Sequence, residues 1–364
     1  MELVAAWLAV HKESSSYAKL ADGLGLDDLE SFGSDDAIEL RRHHERRLTA
    51  VLGPVLASLQ PAERRALEYA ALLPADYVAL PWLKELVTRD FPELAQAGKR
   101  SDPWLALVER LTRLALFTRA EGETTEPRVV RVHRLVQELV RLNRPEPEKA
   151  ARQTGIDELI AQRIAVLEKV TNWVEARWEL EPLSALAGLW DEMKHPQTSW
   201  LLAAAGERWH QLAEWSRAEP LMPRALAIDE GSSGPDDPEV ATDLNNLARL
   251  LQATNRLGEA EPLMRRALAI DEGSSGPDHP NVAIRLNNLA QLLRATNRLG
   301  EAEPLMRRHL EIFLKFTVST GHQHPHLQGA VGNYARLLSE MGRSQPEVLA
   351  ELNAIGKPFG MEFG

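Results

Sequence analysis

Residues 244–270 read LNNLARLLQATNRLGEAEPLMRRALAI and residues 286–312 read LNNLAQLLRATNRLGEAEPLMRRHLEI, so nearly the same segment occurs twice. The copies extend to two consecutive blocks, Pro220 to Glu261 and Pro262 to Glu303, which are identical at 35 of 42 positions. A fixed period of this length is typical of stacked units that cannot bury an apolar face alone. The sequence therefore predicts a repeat array.

Each block contains two amphipathic segments. From Pro238 to Thr254, and again from Gly258 to Asp271, the apolar residues recur at intervals of three and four. This spacing indicates two helices that pack as a hairpin. Asp237 supplies an N-cap ahead of Pro238 at the first helical position. A looser third copy and a divergent first unit extend the prediction to four helix pairs within residues 199–364.

One face of the first helix in each block is polar and lies opposite the leucines. At 100° per residue, its positions are Thr242, Asn245, Arg249 and Gln252 in the first copy and Ile284, Asn287, Gln291 and Arg294 in the second. Three of these four positions differ between the copies, whereas the asparagine is constant. We therefore predict that the asparagines hold the main chain of a peptide ligand and the variable neighbours give specificity. The alternative is a solvated face whose asparagines bridge neighbouring helices.

The segments 244–248, 258–263 and 266–270 resemble the tetratricopeptide repeats of the kinesin-light-chain type. This resemblance implies an α-α superhelix whose first helices line a concave groove for an extended peptide or a partner protein. It also implies peptide contacts for Asn245 and Asn287, whereas the third copy has Gly332 at the same position.

The N-terminal half has a different pattern. Helix starts occur at Pro61, Pro81 and Asp102, and two β-prone runs over 116–119 and 128–133 precede a helical stretch over 134–142. Helices followed by a β-hairpin describe a winged-helix domain, which we place at residues 59–145. Many winged helices bind DNA, but residues 61–144 contain 14 basic and 12 acidic residues. A DNA-binding transcriptional regulator with a repeat sensor is therefore the alternative function, and nucleic acid is not the expected partner.

The segment Val132-His133-Arg134-Leu135-Val136 resembles the Met-His-Asp motif in the winged helix of NB-ARC-type signal-transduction ATPases, the STAND class. The resemblance implies that His133 senses ADP, although Arg134 replaces the acidic residue of the motif. A structural, half-buried histidine is the other interpretation of His133. Residues 1–58 look like the remnant of the helical subdomain of that class, and residues 146–198 form a helical connector.

The P-loop pattern Gly-x-x-x-x-Gly-Lys-Ser/Thr does not occur in the 364 residues. We therefore expect no cofactor in this chain itself, with ADP or ATP bound only if a nucleotide-binding ATPase domain is supplied in cis, the chain being truncated, or in trans.

Composition narrows the remaining classes of function. The net charge is −11, and the absence of cysteine excludes thiol nucleophiles and thiolate metal sites. The histidines at 322, 324 and 326 have no carboxylate among them, so a flexible connector is favoured over a metal site. The sequence has no apolar run of membrane-spanning length, so we expect a cytoplasmic protein that is mainly α-helical. The excess of arginine over lysine suggests a bacterial origin. The predicted function is that of a non-catalytic protein- or peptide-binding adaptor or sensor of a signalling ATPase.

Overall fold

The computed structural model describes residues 52–96, 102–119, 128–142 and 144–364. This part of the chain is mainly helical, and the chain divides between Leu189 and Trp190 into two compact units. The predicted helical remnant at 1–58 lies outside the described residues, except for its end, where residues 52–57 are helical. The four-part domain division stays a prediction.

The first unit combines helices with a small sheet. Its elements in chain order are α1 (Pro61–Ala70), β1 (Val78–Ala79), α2 (Leu80–Thr88), α3 (Pro103–Arg113), β2 (Thr118–Arg119), β3 (Val129–Arg131), α4 (Arg134–Leu142) and α5 (Glu146–Leu167). The strands are antiparallel in the order β1-β3-β2, with Val78 opposite Val130 and Thr118 opposite Arg131. Both β-prone runs thus contain a strand. The sequence did not predict β1, because two residues show no periodicity.

Side-chain hydrogen bonds stabilise the ends of these helices. Asp102 caps α3 by accepting from the backbone N–H groups of Trp104 and Leu105, and Pro103 follows at the first helical position. At the other end of α1, the buried Gln137 of α4 donates its amide protons to the carbonyls of Ala70 (2.8 Å) and Leu73 (2.9 Å). Gln137 thus adds donors at a helix C-terminus, where carbonyls lack helical partners, although Ala70 O also accepts from Leu73 N at 3.4 Å.

A buried carboxylate connects α5 to α2 within the first unit. Glu179 is 1% exposed and accepts a hydrogen bond from Trp82 Nε1 of α2 at 2.5 Å. Arg163 of α5 donates to both oxygens of Glu179, at 2.6 and 2.8 Å. Because loss of either donor would leave a buried charge poorly paired, this contact holds the start of the predicted connector against α2.

The second unit is a row of helix pairs. Its helices are α6 (Leu180–Met193, which begins in the first unit), α7 (Thr198–Gln211), α8 (Trp215–Ala218), α9 (Met222–Ser232), α10 (Pro238–Ala253), α11 (Leu257–Ser275), α12 (Pro280–Ala295), α13 (Leu299–Thr320), α14 (Leu327–Glu340) and α15 (Gln345–Gly356). The pairs are α7 with α8–α9, α10 with α11, α12 with α13, and α14 with α15. The sequence predicts these four pairs, with ends that differ by a few residues.

Apolar side chains from successive pairs form one core. A single cluster contains Leu251, Leu286, Met306, Tyr334 and Leu352, which come from α10, α12, α13, α14 and α15. Small residues let the helices approach: a Cβ atom on Gly206 of α7 would lie 2.9 Å from Met222 Cγ of α9. Each pair therefore buries its apolar face against the next one.

A residue in the left-handed backbone conformation follows the first helix of every pair at the same position. Ala213, Asn255, Asn297 and Gly342 have φ values of 57°, 61°, 58° and 86°. The N–H group of the following residue returns to the helix, as Arg256 N does to Leu251 O and Arg298 N to Leu293 O, both at 2.8 Å. This is the Schellman arrangement, in which glycine and asparagine are favoured. Only the first pair has alanine there, with a Cβ atom that strains the conformation.

We expect Ala213→Gly to raise the free energy of unfolding by about 1 kcal/mol, because glycine adopts the left-handed conformation without steric strain. Urea unfolding of the whole chain measures the change. Asn255→Ala places an alanine at the equivalent position of the second pair and should lower the free energy of unfolding by a similar amount. A neutral result for both variants would show that the turn conformation is not under strain.

Candidate functional site

An asparagine ladder joins the first helices α10, α12 and α14. Asn288 Nδ2 donates to Asn245 Oδ1 at 2.8 Å, and Asn333 Nδ2 donates to Asn287 Oδ1 at 3.0 Å. A third bond, from Asn287 Nδ2 to Asn288 Oδ1 at 3.3 Å, links the two steps. Both steps join the same two repeat positions. The partners are 43 residues apart in the first step and 46 in the second, because the third copy has a three-residue insertion before Asn333.

The ladder changes the interpretation of the two predicted ligand-binding asparagines. Asn245 is 4% exposed and its oxygen already accepts from Asn288, so it does not offer a free carboxamide. Asn287 is partly exposed, but both ends of its carboxamide are engaged. The bridging alternative describes this geometry, and a contact of either residue with a peptide stays a prediction.

Two of the variable positions also form contacts between helices. Arg249 of α10 reaches back to Glu207 of α7, with Nη1 at 3.1 Å from Oε1. Arg294 of α12 reaches forward to Glu340 of α14, with Nε at 2.8 Å from Oε2. Partly exposed ion pairs of this kind contribute little stability, so a ligand carboxylate could compete for either arginine.

Four predicted residues leave surface for a ligand. Thr242 is exposed, although its Oγ1 accepts from Arg285 Nη2 at 3.0 Å. Ile284 is 38% exposed and is one of several large apolar residues of the array with exposed surface. Gln252 and Gln291 are partly exposed, and their side chains form no hydrogen bond with any residue in the described part of the chain.

A buried ion pair escaped prediction. Arg285 of α12 and Asp271 of α11 are 7% and 1% exposed, with Nε and Oδ2 2.8 Å apart. Through Thr242 the same guanidinium also reaches α10. The pattern that could have revealed it is a difference between the copies, because the first copy has Asp243 where the second has Arg285.

His133 lies at the start of α4, directly after β3. It is half-buried, and its Nδ1 accepts from the N–H group of Leu135 at 3.2 Å. His279 makes the same contact with Asn281 at 3.2 Å at the start of α12. The imidazole of His133 therefore acts as a helix N-cap, which leaves Nε2 as its protonated nitrogen. Its nucleotide-sensing role stays a prediction.

One histidine of the segment 322–326 packs against aromatic side chains, whereas His322 and His326 are exposed. His324 stacks on Phe313 with ring centroids 4.1 Å apart, and it meets Phe316 edge-on at 4.8 Å. Phe313 in turn contacts the buried His309, whose Nδ1 lies 2.8 Å from Ala283 O. Within the described ranges, no group of three His, Cys, Asp or Glu residues could hold a metal ion.

One basic residue of α3 is engaged within the first unit. Arg110 lies with Nε 3.0 Å from the buried carboxylate of Glu63. Its Nη2 donates to Ser58 O at 3.4 Å. This guanidinium is therefore used within the fold of the first unit.

A cavity of about 270 Å³ lies beside the turn between α10 and α11. Its wall is mainly apolar and its rim carries charges, with the lining residues Glu219, Pro223, Leu247, Leu250, Leu251, Thr254, Arg256, Glu259 and Leu263. The second copy has Arg265 at the position of Pro223, and that arginine pairs with Glu261 at 2.7 Å. The two copies therefore present different surfaces at this turn.

Residues 209–273 and 259–315 match the family model of the tetratricopeptide repeat. Residues 209–315 are tetratricopeptide repeats. Repeats of this family serve protein–protein interaction, so this part of the chain is an interaction module. No curated protein has a matching sequence. None of the helices described is long and apolar enough to cross a membrane.

Three solved structures that align with the chain are each less than 20% identical to it. A kinesin light chain-like protein of Podospora anserina with nearly identical repeats is 18% identical over 55% of this chain and 96% of its own, with a TM-score of 0.46. BtubC from P. vanneervenii is 17% identical over 84% and 95%, with a TM-score of 0.39. A STAND protein with a tetratricopeptide repeat sensor from Pyrococcus horikoshii is 15% identical over 100% and 54%, with a TM-score of 0.34.

We expect the asparagine ladder to couple α10 and α12 energetically. Asn288→Ala should destabilise the chain by about 1 to 3 kcal/mol, because it leaves the buried oxygen of Asn245 without a donor. The double variant Asn245→Ala plus Asn288→Ala should cost less than the sum of the single variants. Additive losses in urea unfolding would show that the bond adds nothing.

The buried His309 should make the array sensitive to acid. Burial lowers the pKa of His309 to about 4, so the unfolded chain, whose histidine titrates near 6.5, binds more protons between these values. Stability from this residue is present at neutral pH and is lost as the pH falls from about 6.5 to 4, by about 2 to 3 kcal/mol. His309→Ala, the residue of the other copies, should flatten this part of the curve of unfolding free energy against pH. An unchanged slope would contradict the assignment.

Proposed function

We propose that the tetratricopeptide array binds a peptide segment of a partner protein along the polar face of α10 and α12. The observation that carries the proposal is where the two copies differ. Three of their seven differences fall on this face, at the pairs Thr242/Ile284, Arg249/Gln291 and Gln252/Arg294. Copies that keep their apolar packing residues but change this face are suited to contact two different stretches of one ligand.

The geometry indicates what kind of segment fits. Ile284 offers an exposed apolar contact, and the two glutamines offer donors and acceptors that no described residue uses. The arginines at 249 and 294 can exchange their present carboxylate partners for acidic ligand side chains. An extended peptide with an apolar residue and acidic neighbours therefore matches this face. The asparagine ladder beneath it holds the helices in register.

Selection from a peptide display library against the whole chain tests the proposal. The informative variant converts the second face into the first: Ile284→Thr, Gln291→Arg and Arg294→Gln. We expect it to change the enriched motif by losing the apolar preference, while the affinity of the original peptides falls at least tenfold.

The matched control is the double variant His279→Asp plus Asn281→Glu. It also replaces residues of the second copy with those of the first, at two positions that lie off the face. This control should leave the motif unchanged. An identical motif after the face exchange, or the same change in the control, would place the binding site elsewhere.

We further propose that the chain is the sensor or adaptor part of a signalling ATPase. The support is the similarity of residues 132–136 to the Met-His-Asp motif, in a region that contains helices and a small antiparallel sheet. In this scheme, ligand binding changes how the region around His133 contacts ADP held by a nucleotide domain in cis or in trans. Such a switch requires that the ligand has different affinities for the two states.

Calorimetric titration with ADP tests the nucleotide part of the scheme. This chain alone should give no saturable binding, since it carries no P-loop. When a nucleotide-binding domain is supplied, His133→Ala should weaken ADP binding at least tenfold, and His133→Asn, which can still cap α4, should weaken it as well. Unchanged ADP affinity in both variants would reduce His133 to a capping residue.

A further inference from the structure

The two copies differ in how neighbouring repeats are joined at a buried polar position. Between α11 and α12, Asp271 faces Arg285 in an ion pair of 2.8 Å. One repeat earlier, between α9 and α10, the corresponding residues are Asp229 and Asp243. The aspartate is the same in both interfaces, but its partner is an arginine in one and a second carboxyl group in the other.

The carboxyl pair lies in the interior of the array. Asp229 is 7% exposed and Asp243 is 4% exposed. The two carboxyl groups lie within reach of each other where α9 packs against α10, and a hydrogen bond between them requires a proton on one of them. Asp243 Oδ2 has no hydrogen-bond partner within the described residues. Two ionised carboxylates at this position would repel each other with little water to screen them.

The charges around α10 do not neutralise the pair. Glu239, one turn earlier on α10, adds to its negative charge. Arg285 of α12 is already paired with Asp271 of α11, and Arg249 is paired with Glu207 of α7. α7 and α8 also pack against α10 and carry further charged groups, among them Arg208 and His210 on α7 and Arg217 on α8. Burial and the contact with Asp229 together raise the pKa of Asp243 to about 8.

We propose that Asp229 and Asp243 form a proton-dependent joint between α9 and α10: the shared proton holds the two helices together, and opening of the interface releases it. The joint is a property of the first interface alone, since the second has Arg285 in place of the acid. It does not depend on which ligand the array binds.

The direction of the pH effect follows from the proton balance. Asp243 binds a proton in the closed joint up to about pH 8, whereas an open, hydrated aspartate releases it near its ordinary value of 3.8. Closure is therefore strongest at low pH and weakens as the pH rises toward 8, above which both states are ionised. Between pH 6 and pH 8, the opening equilibrium should increase by up to about tenfold per pH unit.

Hydrogen–deuterium exchange of the whole chain, resolved by mass spectrometry, measures this opening. The segments 222–253 and 264–295 are sister segments in the two copies, so the ratio of their opening constants removes the common effect of pH on chemical exchange. We expect the ratio for the first over the second segment to rise between pH 6 and pH 8 and then to level off. Asp243→Asn and Asp243→Arg should both abolish the rise.

The reverse exchange is the sharpest control. Arg285→Asp places a second carboxyl pair at Asp271 and should give the segment 264–295 the same pH dependence, so that the ratio becomes flat. A ratio that does not change with pH in the natural chain would overturn the proposal. A rise that persists in Asp243→Asn would overturn it as well, and this near-isosteric variant remains informative if Asp243→Arg does not fold.

Discussion

No helix pair in residues 198–356 can bury its apolar face without a neighbour, and the other features of the second unit serve this constraint. The core cluster draws side chains from every helix between α10 and α15. The left-handed residues at 255 and 297 turn each second helix back onto its first, so that both helices present leucines and alanines to the next pair. Stability is then mainly a sum of contacts between neighbours, and each interface can be tuned separately.

Polar groups at these interfaces carry the differences that apolar packing cannot. The same repeat framework contains an asparagine ladder, a buried Asp271–Arg285 ion pair and a buried acid pair, all beside the face proposed for the ligand. Thr242 belongs to that face, precedes Asp243 in the chain and accepts from Arg285. The face proposed for the ligand and the joints between repeats therefore share Thr242, so we expect a bound ligand to influence the relative position of the helices.

Helices, caps and turns were predictable from the sequence, because each depends on residues a few positions apart. The proline at 238, its aspartate cap and the spacing of leucines predict α10 to within one residue at either end. The roles of the polar face were not predictable in the same way. Helical periodicity places Asn245 opposite the leucines, but only the distance to the next helix shows that Asn288 reaches it. The contact of Glu179 with Trp82 joins residues 97 positions apart and leaves no local pattern.

Near-identity of the two copies has a consequence for how the chain finds its native state. During folding, α11 can pack against two almost equivalent first helices, α10 and α12. Because the leucines of these two helices are the same, they do not determine which helix packs on which side of α11. The unlike residues at 243 and 285 do distinguish them, since Asp271 forms an ion pair with Arg285 but would meet only a second carboxyl group at Asp243. Charge at this single position thus opposes mispaired, register-shifted arrays, which are a characteristic hazard of duplicated repeats.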